Sequence, residues 1–171
     1  MNNKELAKNL ESGSTEIILS TLKYISTDGN KEILPLVIKL LHQSQSTLIR
    51  DEIIKILEHL KDQNSVPVLV HAIEDEKYTD KLSILVPACW KNGLNFEEYI
   101  ETFVDVFIQS EFQLAFDAFT VIDNFNKIND KKANLSLIKL ENAIEDTKNE
   151  KKTLFNELIN IIKDKKESPT I

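Results

Sequence analysis

At 171 residues, 42% apolar and 29% charged, the chain has the makeup of one globular domain able to bury a sizeable core. Its three glycines and four prolines are too few for the turns of a β-rich or α/β fold of this length, so an all-α protein is expected. A net charge of −7 disfavours nucleic acid as a ligand, because phosphate binding runs on clustered Lys and Arg.

From Met1 to Gly13 the chain reads as a polar amphipathic helix without the apolar centre of a signal peptide. No stretch approaches the ~20 apolar residues of a membrane span, so no membrane partner is expected. Ser14 is placed to cap the next helix, whose apolar positions Ile18, Leu19, Leu22 and Ile25 share one face. A turn at Thr27–Asn30 follows. Pro35 and Pro67 then occur in matching contexts, Ile33-Leu34-Pro35-Leu36-Val37 and Ser65-Val66-Pro67-Val68-Leu69, 32 residues apart. Proline is tolerated in the first turn of a helix, where its missing N–H would have had no partner, so each marks a helix start. Ser46 and Ser65 are further expected N-caps.

After Ser46, the residues Ile49, Ile53, Ile56, Leu57 and Leu60 follow helical spacing. A 31-residue period carries Ile53, Ile54 and Leu57 onto Ile84, Leu85 and Ala88, and then onto Ala115, Phe116 and Phe119. A spacing of 35 relates Ile18, Leu19, Leu22 and Ile25 to Ile53, Ile54, Leu57 and Leu60. Five helical hairpins are therefore predicted, at about 2–26, 31–62, 65–92, 95–127 and 131–166, forming a single domain over 1–166. The lysines and glutamates of the fifth hairpin, among them Lys131, Lys139, Lys148, Glu141 and Glu157, suit a polar C-terminal cap. Residues 167–171 should fray.

Leu34-Pro35-Leu36, Leu40-Leu41, Ser46-Thr47-Leu48-Ile49-Arg50, Leu57, Leu60, Asp62 and Val66-Pro67 resemble the HEAT-repeat pattern. The match is good over 31–76 and weaker towards both ends. The small Ala pairs of that family's second helix are replaced by Ile53 and Ile54. The resemblance implies a right-handed α–α superhelix, or solenoid, of about five stacked antiparallel hairpins. It also implies a non-enzymatic scaffold or adaptor whose second helices line a concave binding surface. Stacking has a physical basis too, since one hairpin cannot bury its apolar face alone.

Two features mark where a partner would bind. Between Lys91 and Lys127 there is no Lys or Arg but seven acids: Glu97, Glu98, Glu101, Asp105, Glu111, Asp117 and Asp123. Glu97, Glu101 and Asp105 form a stripe opposite Phe96, Ile100, Phe103 and Phe107. On the next helix Gln113, Asp117, Thr120 and Asn124 form the polar face, with Ala115, Phe116, Phe119 and Ile122 inward. The acids read either as a solvated face or as a surface that steers a basic partner. Second, the 31-residue period replaces Asp51, Lys55 and Glu58 by Leu82, Val86 and Cys89, and His59 by Trp90. That is either an apolar binding strip or a more enclosed middle hairpin. The expected contact residues for a protein or peptide partner are Lys55, Glu58, Leu82, Val86, Trp90, Gln113, Asp117, Thr120 and Asn124.

No catalytic, cofactor or metal site is expected. Gly13, Gly29 and Gly93 are isolated, which rules out a glycine-rich phosphate loop. His42, His59 and His71 lie in no metal-ligand spacing. Cys89 cannot form an internal disulfide, which fits a cytoplasmic protein, and its apolar neighbours favour an inert thiol. Two alternatives accompany the adaptor reading: an acidic, immunity-like inhibitor masking a basic partner, and a HEAT-like lyase or enzyme subunit.

Overall fold

The structure, a computed structural model, describes residues 1–28, 32–145, 147 and 149–166. Of the predicted 27–30 turn, residues 27 and 28 continue α2 instead, while 29 and 30, together with Lys148 and the 167–171 tail, lie outside the described residues. Ten α-helices occur among the described residues: α1 (Asn3–Leu10), α2 (Thr15–Asp28), α3 (Leu34–Gln43), α4 (Thr47–Glu58), α5 (Val66–Glu74), α6 (Leu82–Asn92), α7 (Ile100–Gln109), α8 (Phe112–Asp123), α9 (Asp130–Ala143) and α10 (Asn149–Lys165). The only β pairing there is an isolated bridge between Ile128 and Lys166. No described helix is long and apolar enough to cross a membrane.

Local chemistry accounts for the helix ends. Pro35 and Pro67 sit in the first turns of α3 and α5. The Ser14 and Ser46 hydroxyls accept from the Ile17 and Ile49 amides, closing the N-termini of α2 and α4. Ser65 departs from expectation: it precedes α5, but its hydroxyl makes no capping bond and is buried. Asp62 caps the 3-10 turn over 63–65 that leads into α5, its Oδ1 accepting from the Asn64 amide at 3.0 Å. Gly93 ends α6 at φ +72°, a left-handed conformation that favours glycine.

The chain forms two compact units, Met1–Leu94 and Asn95–Ile171. In the first, α1, α3 and α5 neighbour one another in sequence and make one layer, while α2, α4 and α6 make the other. In the second, α7 packs on α9 and α8 on α10, with each helix also against its hairpin partner.

A single buried pattern, i, i+3, i+4, i+7, recurs through both units. In the first helices it runs Leu34-Val37-Ile38-Leu41, Val66-Leu69-Val70-Ile73, Ile100-Phe103-Val104-Phe107 and Ala133-Ser136-Leu137-Leu140, every position buried. In the second helices it runs Ile18-Thr21-Leu22-Ile25, Ile53-Ile56-Leu57-Leu60, Leu85-Ala88-Cys89-Asn92, Ala118-Val121-Ile122-Phe125 and Phe155-Leu158-Ile159-Ile162, all buried except the half-buried Leu60. Four such positions fill one stripe of a helix and give it a face to bury.

The spacing between successive second-helix quartets is 35, 32, 33 and 37 residues, not a constant 31. One residue rotates a helix face by 100°, so the fixed 31-residue period drifts off the core after α4. That drift is the reason for two corrections. Val86, expected on a surface strip, is fully buried beside Cys89. Phe116, expected inward, is 45% exposed.

Lysines close several helix ends. Lys61 Nζ donates to the Asn92 carbonyl at the end of α6 (3.1 Å), and Lys151 Nζ to Ile108 O (3.1 Å) and Ser110 O (2.7 Å) at the end of α7. Lys165 Nζ donates to Asp123 O and Phe125 O at the end of α8. A cation suits these positions because the last carbonyls lack intrahelical donors and the helix dipole is negative there. Lys151 also lies over the rings of Phe107 and Phe155, at 5.2 and 5.6 Å. Burial lowers its pKa, partly offset by Glu111.

Candidate functional site

The α8 helix carries exposed aromatic rings that folding does not explain. Its buried side is made of small and branched residues, Ala115, Ala118, Val121 and Ile122. On the other side Phe112 is 48% and Phe116 45% exposed. Phe119, half-buried, stacks on Phe116 with ring centroids 6.1 Å apart and planes 10° from parallel. The i, i+4, i+7 spacing places all three rings on one stripe.

Aligning the second helices on their buried quartets shows how unusual this is. The position two residues before the quartet is Glu16, Asp51, Ser83 and Thr153 in the other four hairpins, all exposed, and Phe116 in α8. Six residues before, it is Ser12, Thr47 and Thr79 in the first three hairpins, all exposed, and Phe112 in α8. Solvent positions that the rest of the chain fills with polar side chains are phenylalanine here. The 31-residue period places Phe116 in the core and gives no signal for Phe112. The usable signal is the competing set Ala118-Val121-Ile122-Phe125, which satisfies helical spacing without either ring.

The expected polar contact residues of α8 lie beside this stripe. Gln113 and Asn124 are exposed; Asp117 and Thr120 are half-buried. Thr120 Oγ1 donates to Phe116 O (2.8 Å) and Asn124 Nδ2 to Thr120 O (2.9 Å), so both are engaged within their own helix. In the first unit, Lys55 is exposed and pairs with Glu52 at 3.3 Å, and Glu58 accepts from Lys91 at 2.6 Å. Leu82 and Trp90 are half-buried, with Lys91 Nζ 5.5 Å from the Trp90 ring. With Val86 in the core, Leu82 and Trp90 do not join into a continuous apolar strip.

The acids of the fourth hairpin divide into two groups. Those around α7 are used inside the second unit. Glu98 meets Lys132 at 2.6 Å, and Asp105 meets Lys139 at 2.7 and 2.8 Å. The Glu97 carboxylate accepts from the Asn126 and Lys127 amides at 2.8 and 3.3 Å, tying the α8–α9 connection to the start of α7. The expected solvated stripe of Glu97, Glu101 and Asp105 is thus largely structural. The second group, Glu111, Asp117 and Asp123, sits on α8 or its N-cap, with Asp123 3.7 Å from Lys165.

Partial burial pushes the Glu97 pKa up, but the Asn126 amide, the Asn95 side chain and Lys127 outweigh it and hold it below 4.5. A depressed folded-state pKa means stability that is present above the unfolded value and lost as the pH falls through the folded one. Glu97→Gln should therefore flatten the acid limb of a denaturation series below about pH 4.5 relative to the unsubstituted chain. Parallel acid limbs would show that the carboxylate does not tie the loop.

Elsewhere, an open cleft of about 360 Å³ lies between the α1–α2 and α3–α4 turns. It is lined by Leu10, Ile18, Leu40 and Ile49, with the Glu11–Lys39 ion pair (3.3 Å) at its edge. No group of three His, Cys, Asp or Glu side chains suited to a metal ion occurs among the described residues. Burial raises the Cys89 pKa strongly, so the thiolate that would react is disfavoured. Comparison with family models, curated proteins and solved structures finds no match.

Proposed function

We propose that this chain is a non-enzymatic protein-binding adaptor, built of hairpins stacked as in a HEAT-like solenoid within each unit, and that α8 presents its docking face. The observation that carries this reading is the exposure of Phe112 and Phe116 at positions that are polar in every other hairpin. Fully burying a phenylalanine side chain is worth about 1.5–3 kcal/mol, and the fold forgoes about half of that at each place. A partner would recover it, and aromatic anchors are the side chains that most often dominate interface energies. The repeated buried quartets and the proline-initiated α3 and α5 support the HEAT-like architecture. The pairing of Glu98 and Asp105 with lysines of the same unit weakens the alternative of a broad acidic inhibitory surface.

A photo-crosslinking phenylalanine analogue in place of Phe116, introduced in the native cell, should capture a discrete protein, whereas one in place of Leu48 should not. The double substitution Phe112→Ser/Phe116→Ser should release that partner while costing only about 1–2 kcal/mol of stability, so that the helical fold and a cooperative melt are kept. Retention of the partner by the double variant would remove α8 as the docking face.

A further inference from the structure

Resting on the docking reading of α8, we infer that the segment this face accepts is a basic amphipathic helix, with apolar residues at i, i+3 or i+4 and i+7 and Lys or Arg flanking them. The charge argument is independent of the exposed rings. Among the second helices α2 carries Lys23, α4 Arg50 and Lys55, α6 Lys91 and α10 Lys151, Lys152, Lys163 and Lys165, whereas α8 has no basic residue. Its acids are distributed along the aromatic stripe: Glu111 before Phe112, Asp117 beside Phe116 and, one turn beyond Phe119, Asp123, whose carboxylate also lies 3.7 Å from Lys165 of α10. An apolar centre bordered by carboxylates complements a segment whose apolar centre is bordered by cations. The same carboxylates disfavour nucleic acid and anionic lipid surfaces.

Geometry selects a helix over an extended segment. From Phe112 to Phe119 the stripe rises about 10 Å, matching two turns of a partner helix packed ridge into groove. An extended segment gains its affinity by completing the hydrogen bonds of a sheet edge. The α8 backbone offers no such edge, since its amides and carbonyls are bonded along the helix. A partner helix satisfies its own backbone and brings only side chains.

The test titrates the full chain with two synthetic peptides of about 20 residues, beyond the length at which isolated helices are marginal. Both carry leucines at i, i+3, i+4 and i+7; one has lysines on the flanking positions and the other glutamates. Amide NMR shifts locate binding and fluorescence anisotropy measures it at low and physiological salt. The lysine peptide should perturb α8, bind about tenfold more tightly than the glutamate peptide, and weaken as salt rises. Its affinity should fall about tenfold on Phe116→Ser and severalfold on Asp117→Asn/Asp123→Asn, with melting temperatures checked to confirm folding. Equal binding of both peptides at α8 would overturn the basic-partner inference and leave the docking reading standing. Failure of both peptides to perturb α8, while crosslinking from position 116 still captures a protein, would also sink this inference alone; failure of both experiments would sink both. Self-association that Phe116→Ser abolishes, with no peptide binding, would overturn it in favour of a second copy of this chain.

Discussion

Phe103→Ala is expected to destabilise the second unit by about 3–5 kcal/mol, the usual range for removing a buried aromatic ring. Phe103 is completely buried in α7 and stands between two other rings, edge-on to Phe96 at 5.6 Å and to Phe125 at 6.4 Å. The substitution therefore leaves a cavity and also removes two aromatic contacts, each worth about 0.5–1.5 kcal/mol beyond area burial. Phe96 and Phe125 come from opposite ends of the fourth hairpin, so collapse around the gap would have to shift both connections at once. Urea denaturation should show a lower midpoint, and amide exchange should accelerate more in residues 95–166 than in 1–94. An exchange increase shared equally by both units would show that the cores at α4 and α7 are not separate.

Asn92→Ala is expected to be the second most damaging single change, costing about 2–3 kcal/mol for an opened, partly unsatisfied buried network. Asn92 occupies the last quartet position of α6, where the other second helices have Ile25, Leu60, Phe125 and Ile162, and it is 2% exposed. Its Nδ2 donates to the Leu57 carbonyl in α4 at 3.3 Å, and its Oδ1 accepts from the Leu94 amide at 2.9 Å. Lys61 donates to its main-chain oxygen at 3.1 Å. One amide thus joins the ends of α4 and α6 and sets the turn at Gly93. Asn92→Leu supplies apolar volume but neither hydrogen bond, so it should remain destabilised; a stability equal to the unsubstituted chain would show that the amide contributes only bulk.

The hairpins were legible because their ends are written in local chemistry. Prolines start α3 and α5, serines cap α2 and α4, and these effects act within a turn or two of chain. The inward face of α7 was legible for the same reason, since Ile100, Phe103 and Phe107 need no partner to define a stripe. Register between hairpins is a different kind of information. It depends on connection lengths, and the three residues between α3 and α4 contrast with a seven-residue connection between α5 and α6 that includes a 3-10 turn over 76–81. Nothing in a constant period records that difference. The resulting rotation of the α6 and α8 faces misplaced Val86 and Phe116, and with them the candidate site. Pairings such as Lys139 with Asp105 depend on which helices neighbour each other, which spacing along one helix does not reveal.

Among the described residues, several side-chain hydrogen bonds that join neighbouring hairpins, from Lys39–Glu11 to Lys151–Ile108, link residues 28 to 43 positions apart. Each closes a loop of about one hairpin. Loop-closure entropy grows slowly with length, and chains whose contacts stay local fold quickly. Either unit can therefore begin folding at any of its hairpins and extend to the next, with no step that must wait for distant parts of the chain to meet.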